Sequence, residues 1–286
     1  MKITDYKKIK PLDNIFTLFD LKGKIGLITG GSGKLGQQFA QILSQAGAKI
    51  IIADIDKNTA DNVARKIGRM VNKEIVGIGC DLTNQKQLHD LFKKIENKFH
   101  SLDFLINNIL AKPEGYYQSF ENYSLKTWDK TLQANLSGVF HCCQHAIPLL
   151  QKSDGSTIVN TASIYGIVGP DFRIYQDGPA KNNPYGGKMP LTLPAVYAAS
   201  KGGLIALTKY LSTLLASKNI RVNSLIPGGV YDGHNEKFHS AYAHRTPLGR
   251  MAVWSDYNGA IIFLVSQASR YMTGTCLTID GGWTAW

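Results

Sequence analysis

The sequence predicts a single α/β domain, a doubly wound parallel sheet with helices on both faces. Short apolar runs alternate with segments of helical spacing along most of the chain. The runs are continuous in Ile, Leu and Val instead of alternating in and out, as strands covered on both faces are. No run reaches the roughly eighteen apolar residues of a membrane span. With 286 residues, 44% of them hydrophobic, the chain is long enough for one large core.

The elements follow in order. "GKIGLITGG" reads as a strand ending in glycines, and "GQQFAQILSQAGA" as a helix stopped by Gly47. "KIIIADID" is a second strand, followed by a polar helix from about Asn58 to Gly68, the strand "EIVGIGCDLT", the helix "QKQLHDLFKKIENKF" and the strand "LDFLINNIL". The runs "STIVNTAS", "IRVNSLIP" and "TCLTID" extend the sheet, with helices expected around Asn135 to Leu150, Val196 to Ser217 and Asp256 to Val265. Residues 1–20 read as a polar N-terminal extension and 21–286 as the domain. From about 168 to 194 the chain holds five of its ten prolines, which argues for a long loop. Its Phe172, Arg173, Tyr175 and Tyr185 suit a binding role.

Composition narrows the partners. The net charge of +11 comes from Lys and Arg scattered along the chain, so it suits a solvated surface and no nucleic-acid partner is expected. The N-terminal stretch lacks the apolar core of a secretory signal, and four cysteines at unrelated spacings suggest neither a disulfide framework nor a zinc site. A cytoplasmic protein without membrane attachment is expected. In "HCCQH", His141 and His145 share a helix face but Cys142 and Cys143 point elsewhere, so a structural role is favoured and no metal is expected.

The stretch "TGGSGKLG" poses a choice between two phosphate-binding turns. A triphosphatase loop needs Gly where Ile28 stands and a hydroxyl residue where Leu35 stands, so the GSGK match is accidental. Gly31, Gly33 and Gly36 instead satisfy GxGxxG after a strand and at a helix start, the dinucleotide fingerprint of a Rossmann domain. Asp54 ends the second strand eighteen residues beyond Gly36, where a carboxylate meets the adenosine ribose and repels a 2′-phosphate. NAD is therefore expected over NADP. Lys34 is a competing signal, since a basic side chain in this turn attracts that phosphate.

"PAVYAASKGGL" places Tyr197 and Lys201 four apart on one helix face. A nearby ammonium stabilises a phenolate, which would let the tyrosine exchange a proton near neutral pH. Such pairs are also common on helix surfaces. Taken with "TGGSGKLG", "DLT" at Asp81, "NN" at Asn107 and Asn108, "AN" at Asn135, "IVNTAS" at Ser163 and "RVNSLIPGGV", however, the array from Lys24 onward resembles the short-chain dehydrogenase/reductase family. The resemblance implies that Ser163 binds the substrate oxygen, Tyr197 is the general acid/base, Lys201 tunes it and holds the nicotinamide ribose, and Asn135 anchors a proton relay. It assigns the cofactor to Gly30, Ser32, Gly33, Lys34, Leu35 and Gly36, to Asp54, Asp81 and Leu82, to Asn107 and Asn108, to Tyr197 and Lys201, and to Pro227, Gly228 and Val230. It further implies a homodimer or homotetramer.

Three departures from the family pattern stand out. The turn reads TGxxGxxG, the spacing of the longer sugar-nucleotide epimerases and dehydratases; "NNIL" replaces NNAG; and 34 residues separate Ser163 from Tyr197. Only 58 residues follow Gly228, too few for the substrate domain of an epimerase. The insertion, with "PDFRIY" and the ending "TIDGGWTAW", resembles bacterial oxidoreductases of sialic-acid-like sugar and surface-glycosylation pathways, which implies a sugar-like alcohol or ketone. Alternatives are a ketoacyl reductase, a polyol or gluconate-type dehydrogenase, and a catalytically inactive NAD-binding partner protein. His234, His239 and His244 fall in a segment resembling the family's substrate lid, and Trp283 and Trp286 suit a core or subunit contact.

Overall fold

A computed structural model describes residues 14–176 and 191–286. Seven strands among them form one all-parallel sheet: Ile25–Thr29 (β1), Lys49–Asp54 (β2), Ile75–Gly79 (β3), Phe104–Asn107 (β4), Ser156–Thr161 (β5), Ile220–Pro227 (β6) and Cys276–Ile279 (β7). Their order is β3-β2-β1-β4-β5-β6-β7. The order reverses between β1 and β4, and ligand crevices of such sheets open there, at the carboxyl ends.

Alternate residues of each strand face opposite layers, so the continuous apolar runs are used twice. Leu27, Ile51, Leu105, Ile158 and Val222 pack with Gln85–Phe99 (α3), Gly138–Leu150 (α5) and Ala195–Leu215 (α7). Ile28, Ile50, Ile52, Phe104 and Ile106 pack with Lys34–Gln45 (α1), Lys57–Val71 (α2) and Asn258–Val265 (α9). Side-chain caps set the helix starts: Asp56 accepts from the Thr59 N–H and Asn84 from the Gln87 N–H. No helix among the described residues is long and apolar enough to cross a membrane.

The expected helix at Asn135 differs from the structure. Leu125–Leu132 (α4) begins ten residues earlier, capped by Ser124, and a wide π turn at Gln133–Ser137 joins it to α5. Two further helices fall where the sequence suggested loops. Arg173–Gln176 (α6) is one turn inside the proline-rich stretch, and Glu236–Arg245 (α8) follows β6, started by the Asn235 cap. Tyr185 lies outside the described residues.

A chain of buried polar side chains crosses the sheet beneath its carboxyl end. Asn107 Nδ2 donates to Asn160 Oδ1 (2.9 Å) and Asn160 Nδ2 to Thr208 Oγ1 (2.8 Å). Thr208 Oγ1 meets Ser224 Oγ at 2.8 Å. Three strands and α7 are thereby linked through groups that are too costly to leave unpaired.

Candidate active site

At the carboxyl ends of the strands lies a cleft of about 810 Å³. It begins at the turn between β1 and α1. Gly30 adopts a left-handed φ of +61°, and a Cβ there would stand 2.7 Å from the Asn108 carbonyl oxygen. A Cβ on Gly36 would stand 2.6 Å from the Gly30 carbonyl oxygen, so Gly36 lets α1 close on the turn and does not itself line the cleft. The N-cap of α1, Gly33, supplies no side-chain bond and the first turn holds no acidic residue, leaving an electropositive helix end. Ser32 Oγ is buried without a hydrogen-bond partner beside it. This open backbone cradle with an unanswered hydroxyl fits the pyrophosphate and adjoining ribose of a dinucleotide.

The flanking residues predicted from the sequence fall around this cradle. Gly30, Ser32, Gly33, Lys34 and Leu35 line the cleft, as do Asp54, Asp81, Leu82, Asn108, Pro227, Gly228 and Val230. Asp54 Oδ2 accepts the Ser32 N–H at 2.9 Å, which ties the end of β2 to the turn. Asp81 Oδ1 accepts from both the backbone and the hydroxyl of Thr83. Asn108 Nδ2 donates to the Gly30 carbonyl at 3.1 Å. Asn107 is different: its side chain turns inward to Asn160 and Cys143 and does not line the cleft. Lys34 pairs with Asp232 and stands 6.0 Å over the Trp254 ring, away from a role as a solvated phosphate ligand.

The predicted catalytic residues converge at the far end of the cleft. Ser163 follows β5, and Tyr197 and Lys201 occupy the first turns of α7. The Tyr197 hydroxyl is hydrogen-bonded to Ser163. Lys201 is only 3% exposed, donates to the Thr161 carbonyl at 2.7 Å, and stands 5.8 Å from the Tyr197 ring centre. Burial pulls its pKa down to about 8. Tyr197 departs from the expected depression: burial raises its pKa, and the Ser163 hydrogen bond opposes this only in part. Desolvation of the phenolate outweighs the lysine here because the ammonium is directed to a backbone carbonyl.

Asn135 sits in the π turn, fully buried, where its Oδ1 accepts the Ala111 N–H at 2.7 Å and its Nδ2 donates to the Ala111 carbonyl at 3.4 Å. The two bonds clamp the segment after β4. That segment supplies cleft residues the sequence reading missed, Lys112, Tyr116 and Tyr117. The signal was present in "KPEGYYQ", a Pro/Gly turn carrying paired aromatics between strand and helix. Tyr242 was also missed; its hydroxyl accepts the Gly229 N–H and its ring stacks on Trp283 at 4.2 Å.

Other sequence candidates take structural positions. His234 lines the cleft, and burial lowers its pKa to about 4, so it is neutral at pH 7. His244 is exposed, and His239 packs edge-on to Tyr231. Arg173 is exposed and bidentate to Asp171, which Arg245 of α8 also approaches at 3.2 Å. Tyr175 lines the cleft and packs on Phe238. Cys142 and Cys143 are buried with their thiol pKa values pushed up by desolvation, Cys143 to about 12, while His145 stacks on Phe92. Trp283 is buried, and Trp286 is exposed with its Nε1 donating to the Arg245 carbonyl.

Known proteins resemble this chain over most of its length. The short chain dehydrogenase family model matches residues 24–175, and an enoyl-(acyl carrier protein) reductase model matches residues 184–284. The 3-oxoacyl-[acyl-carrier-protein] reductase of Thermotoga maritima is 30% identical over 92% of this chain and 98% of its own. A short chain dehydrogenase of Leptospira borgpetersenii, solved with bound NAD+, is 32% identical with a TM-score of 0.79, covering 97% of this chain and 98% of that one. A gluconate 5-dehydrogenase of Burkholderia cenocepacia, solved with NADP and tartrate, is 26% identical with a TM-score of 0.82, covering 96% and 100%.

Proposed function

The chain belongs to the short-chain dehydrogenase/reductase family, and from that membership we propose that it interconverts a secondary alcohol and a ketone on a small sugar-like substrate, with NAD as cofactor. The observation that carries the reading is the meeting of Ser163, Tyr197 and Lys201 in the same cleft as the glycine cradle. A nicotinamide cofactor fits that cradle and supplies the hydride transfer when bound. Preference for NAD is supported by Asp54 lining the ribose end and by Lys34 being neutralised by Asp232.

The chain's own groups divide the remaining work. Ser163 is placed to hydrogen-bond the substrate oxygen, and the Tyr197 hydroxyl to give that oxygen a proton in reduction or take one in oxidation. Because burial favours the protonated phenol, the resting site holds the proton that reduction would deliver. The Lys201 ammonium offers a fixed positive charge near the phenol and a donor for the nicotinamide ribose. Asn135 acts on the proton relay by positioning: its clamp on Ala111 holds the segment that borders Tyr197.

The sugar-like substrate, of the kind handled in surface-glycosylation pathways, is supported by the polar and aromatic lining and by the gluconate 5-dehydrogenase likeness. A ketoacyl reductase is the second reading, favoured by the Thermotoga maritima relative. Exposed apolar side chains on the outer helices, Leu125, Phe140, Tyr210 and Leu214, support a homodimer or homotetramer. A screen of sugar, sugar-acid and acyl-thioester ketones with NADH, followed by absorbance, separates the readings. Tyr197→Phe should lower kcat by a thousandfold or more while changing NADH affinity less than threefold. Retained turnover would remove Tyr197 from the proton transfer.

A further inference from the structure

We propose that Tyr242 is a positioning residue of the reaction: from α8, its hydroxyl holds the turn after β6 in the shape against which the nicotinamide end of the cofactor rests. The inference rests on the activity proposed above. The glycine cradle stands at the end of β1 and Ser163 just beyond β5, with β4 between them. A hydride can reach a carbon held beside Ser163 and Tyr197 only if the reactive ring of the dinucleotide crosses β4 toward β5. On the other side of β5 lies β6, paired so that Thr161 is level with Leu225. Ser163 and Pro227 each stand two residues beyond that rung, so the turn at 228–230 leaves the sheet beside Ser163 and walls the same cleft.

Backbone bonds tie this turn to its neighbours. The Gly228 N–H donates to the Ile279 carbonyl at 3.0 Å, the Gly229 carbonyl accepts the Ala252 N–H at 3.0 Å, and the Tyr231 N–H donates to the Ala252 carbonyl at 2.8 Å. The Gly229 N–H is answered instead by a side chain, the Tyr242 hydroxyl. The approach is close, since a Cβ on Gly229 would stand 2.6 Å from Tyr242 Cζ. The phenol is itself held. Its ring stacks on Trp283 at 4.2 Å, and Trp283 sits between Gly282 and Thr284, whose N–H groups both donate to the Asp280 carboxylate. Burial keeps Tyr242 neutral, so it meets the N–H as a hydroxyl. Removing that oxygen would leave a backbone donor without its partner at the cleft wall, and the turn would shift to find another acceptor. Tyr242 and Phe238 both line the cleft from α8, so one helix faces the cleft and shapes the cofactor's seat.

The test uses the full chain, with NADH and ADP-ribose as probes; the second carries the adenosine and pyrophosphate but no nicotinamide. Binding of each is read by calorimetry for the wild type, Tyr242→Phe and Gly229→Ala, with a thermal melt of every protein. Tyr242→Phe keeps the ring on Trp283 and loses only the oxygen. It should weaken NADH by about fivefold or more while leaving ADP-ribose within about twofold, the size expected for one backbone hydrogen bond. Gly229→Ala keeps the phenol but drives it away, and should lower the NADH affinity relative to ADP-ribose in the same direction. A merely structural role would weaken both probes alike. The proposal is overturned if the ratio of the two affinities in Tyr242→Phe matches the wild type, or if Gly229→Ala lowers that ratio and Tyr242→Phe does not. Failure of the wild type to bind NADH at all would instead overturn the oxidoreductase reading, and the inference with it.

Discussion

Replacing Lys201 with Met should make the protein more stable at neutral pH while removing its activity. Lys201 is almost completely buried, and its pKa falls from 10.5 to about 8 on folding. Below pH 8 both folded and unfolded chains carry the proton, and the folded state bears the full cost of the buried charge. Between pH 8 and 10.5 the unfolded chain holds a proton that the folded one has released, so this residue's contribution makes stability rise with pH. At 1.36 kcal/mol per pKa unit the cost at neutral pH is about 3 kcal/mol. The lost bond to the Thr161 carbonyl offsets about 1 kcal/mol. Lys201→Met should therefore be about 2 kcal/mol more stable than the wild type at pH 7, with the advantage vanishing, and then reversing slightly, as pH approaches 10.5. Urea unfolding of both proteins at several pH values, at one protein concentration, measures the difference directly. A variant that is less stable at pH 7, by an amount that does not change up to pH 10, would show that the Lys201 ammonium carries no such burial cost.

Asp54→Ser should lower the ratio of kcat/KM for NAD over NADP at least tenfold; an unchanged ratio would place ribose discrimination elsewhere. Asn135→Ala strips the Ala111 N–H of its partner and should cost about 1–3 kcal/mol of stability, with kcat/KM falling tenfold or more. If thermal melts and rates both match the wild type, the clamp is dispensable. Gly36→Ala puts a Cβ 2.6 Å from the Gly30 carbonyl oxygen, whereas Gly33→Ala meets the same oxygen at 3.4 Å, an ordinary contact. The first should therefore weaken NADH binding tenfold and lower the melting temperature, and the second should be the milder in melting temperature. Equal effects would show that the close approach of α1 does not matter.

The sheet was legible because its strands are apolar on both faces, and the run "KIIIADID" leaves β2 little alternative. Tyr197 and Lys201 could be seen as a pair four apart on one helix, but such pairs are common, and it was the resemblance of the whole motif array that joined Ser163 to them. Helices α4 and α8 were harder to read. They are short, their polar faces are long, and their caps, Ser124 and Asn235, are single residues in loop-like surroundings. The inward turn of Asn107 was hidden because adjacent asparagines at a strand end look alike until the pleat assigns each a side. Lys112 stayed out of sight for a related reason: its place depends on Asn135 reaching across from a π turn, which no short-range pattern announces.

The buried chain from Asn107 to Ser224 has a bearing on how accurately the reaction is set up. Apolar packing alone would allow a helix lying on a sheet to creep along it, since one aliphatic contact replaces another at little loss. Thr208 lies on the same helix as Lys201, roughly two turns further on. With its hydroxyl fixed to Asn160 and Ser224, any creep would strand dry polar atoms. Alignment of the proton-transfer groups is thus calibrated from below by a polar ruler, and substitutions there should blunt turnover without touching a single ligand atom.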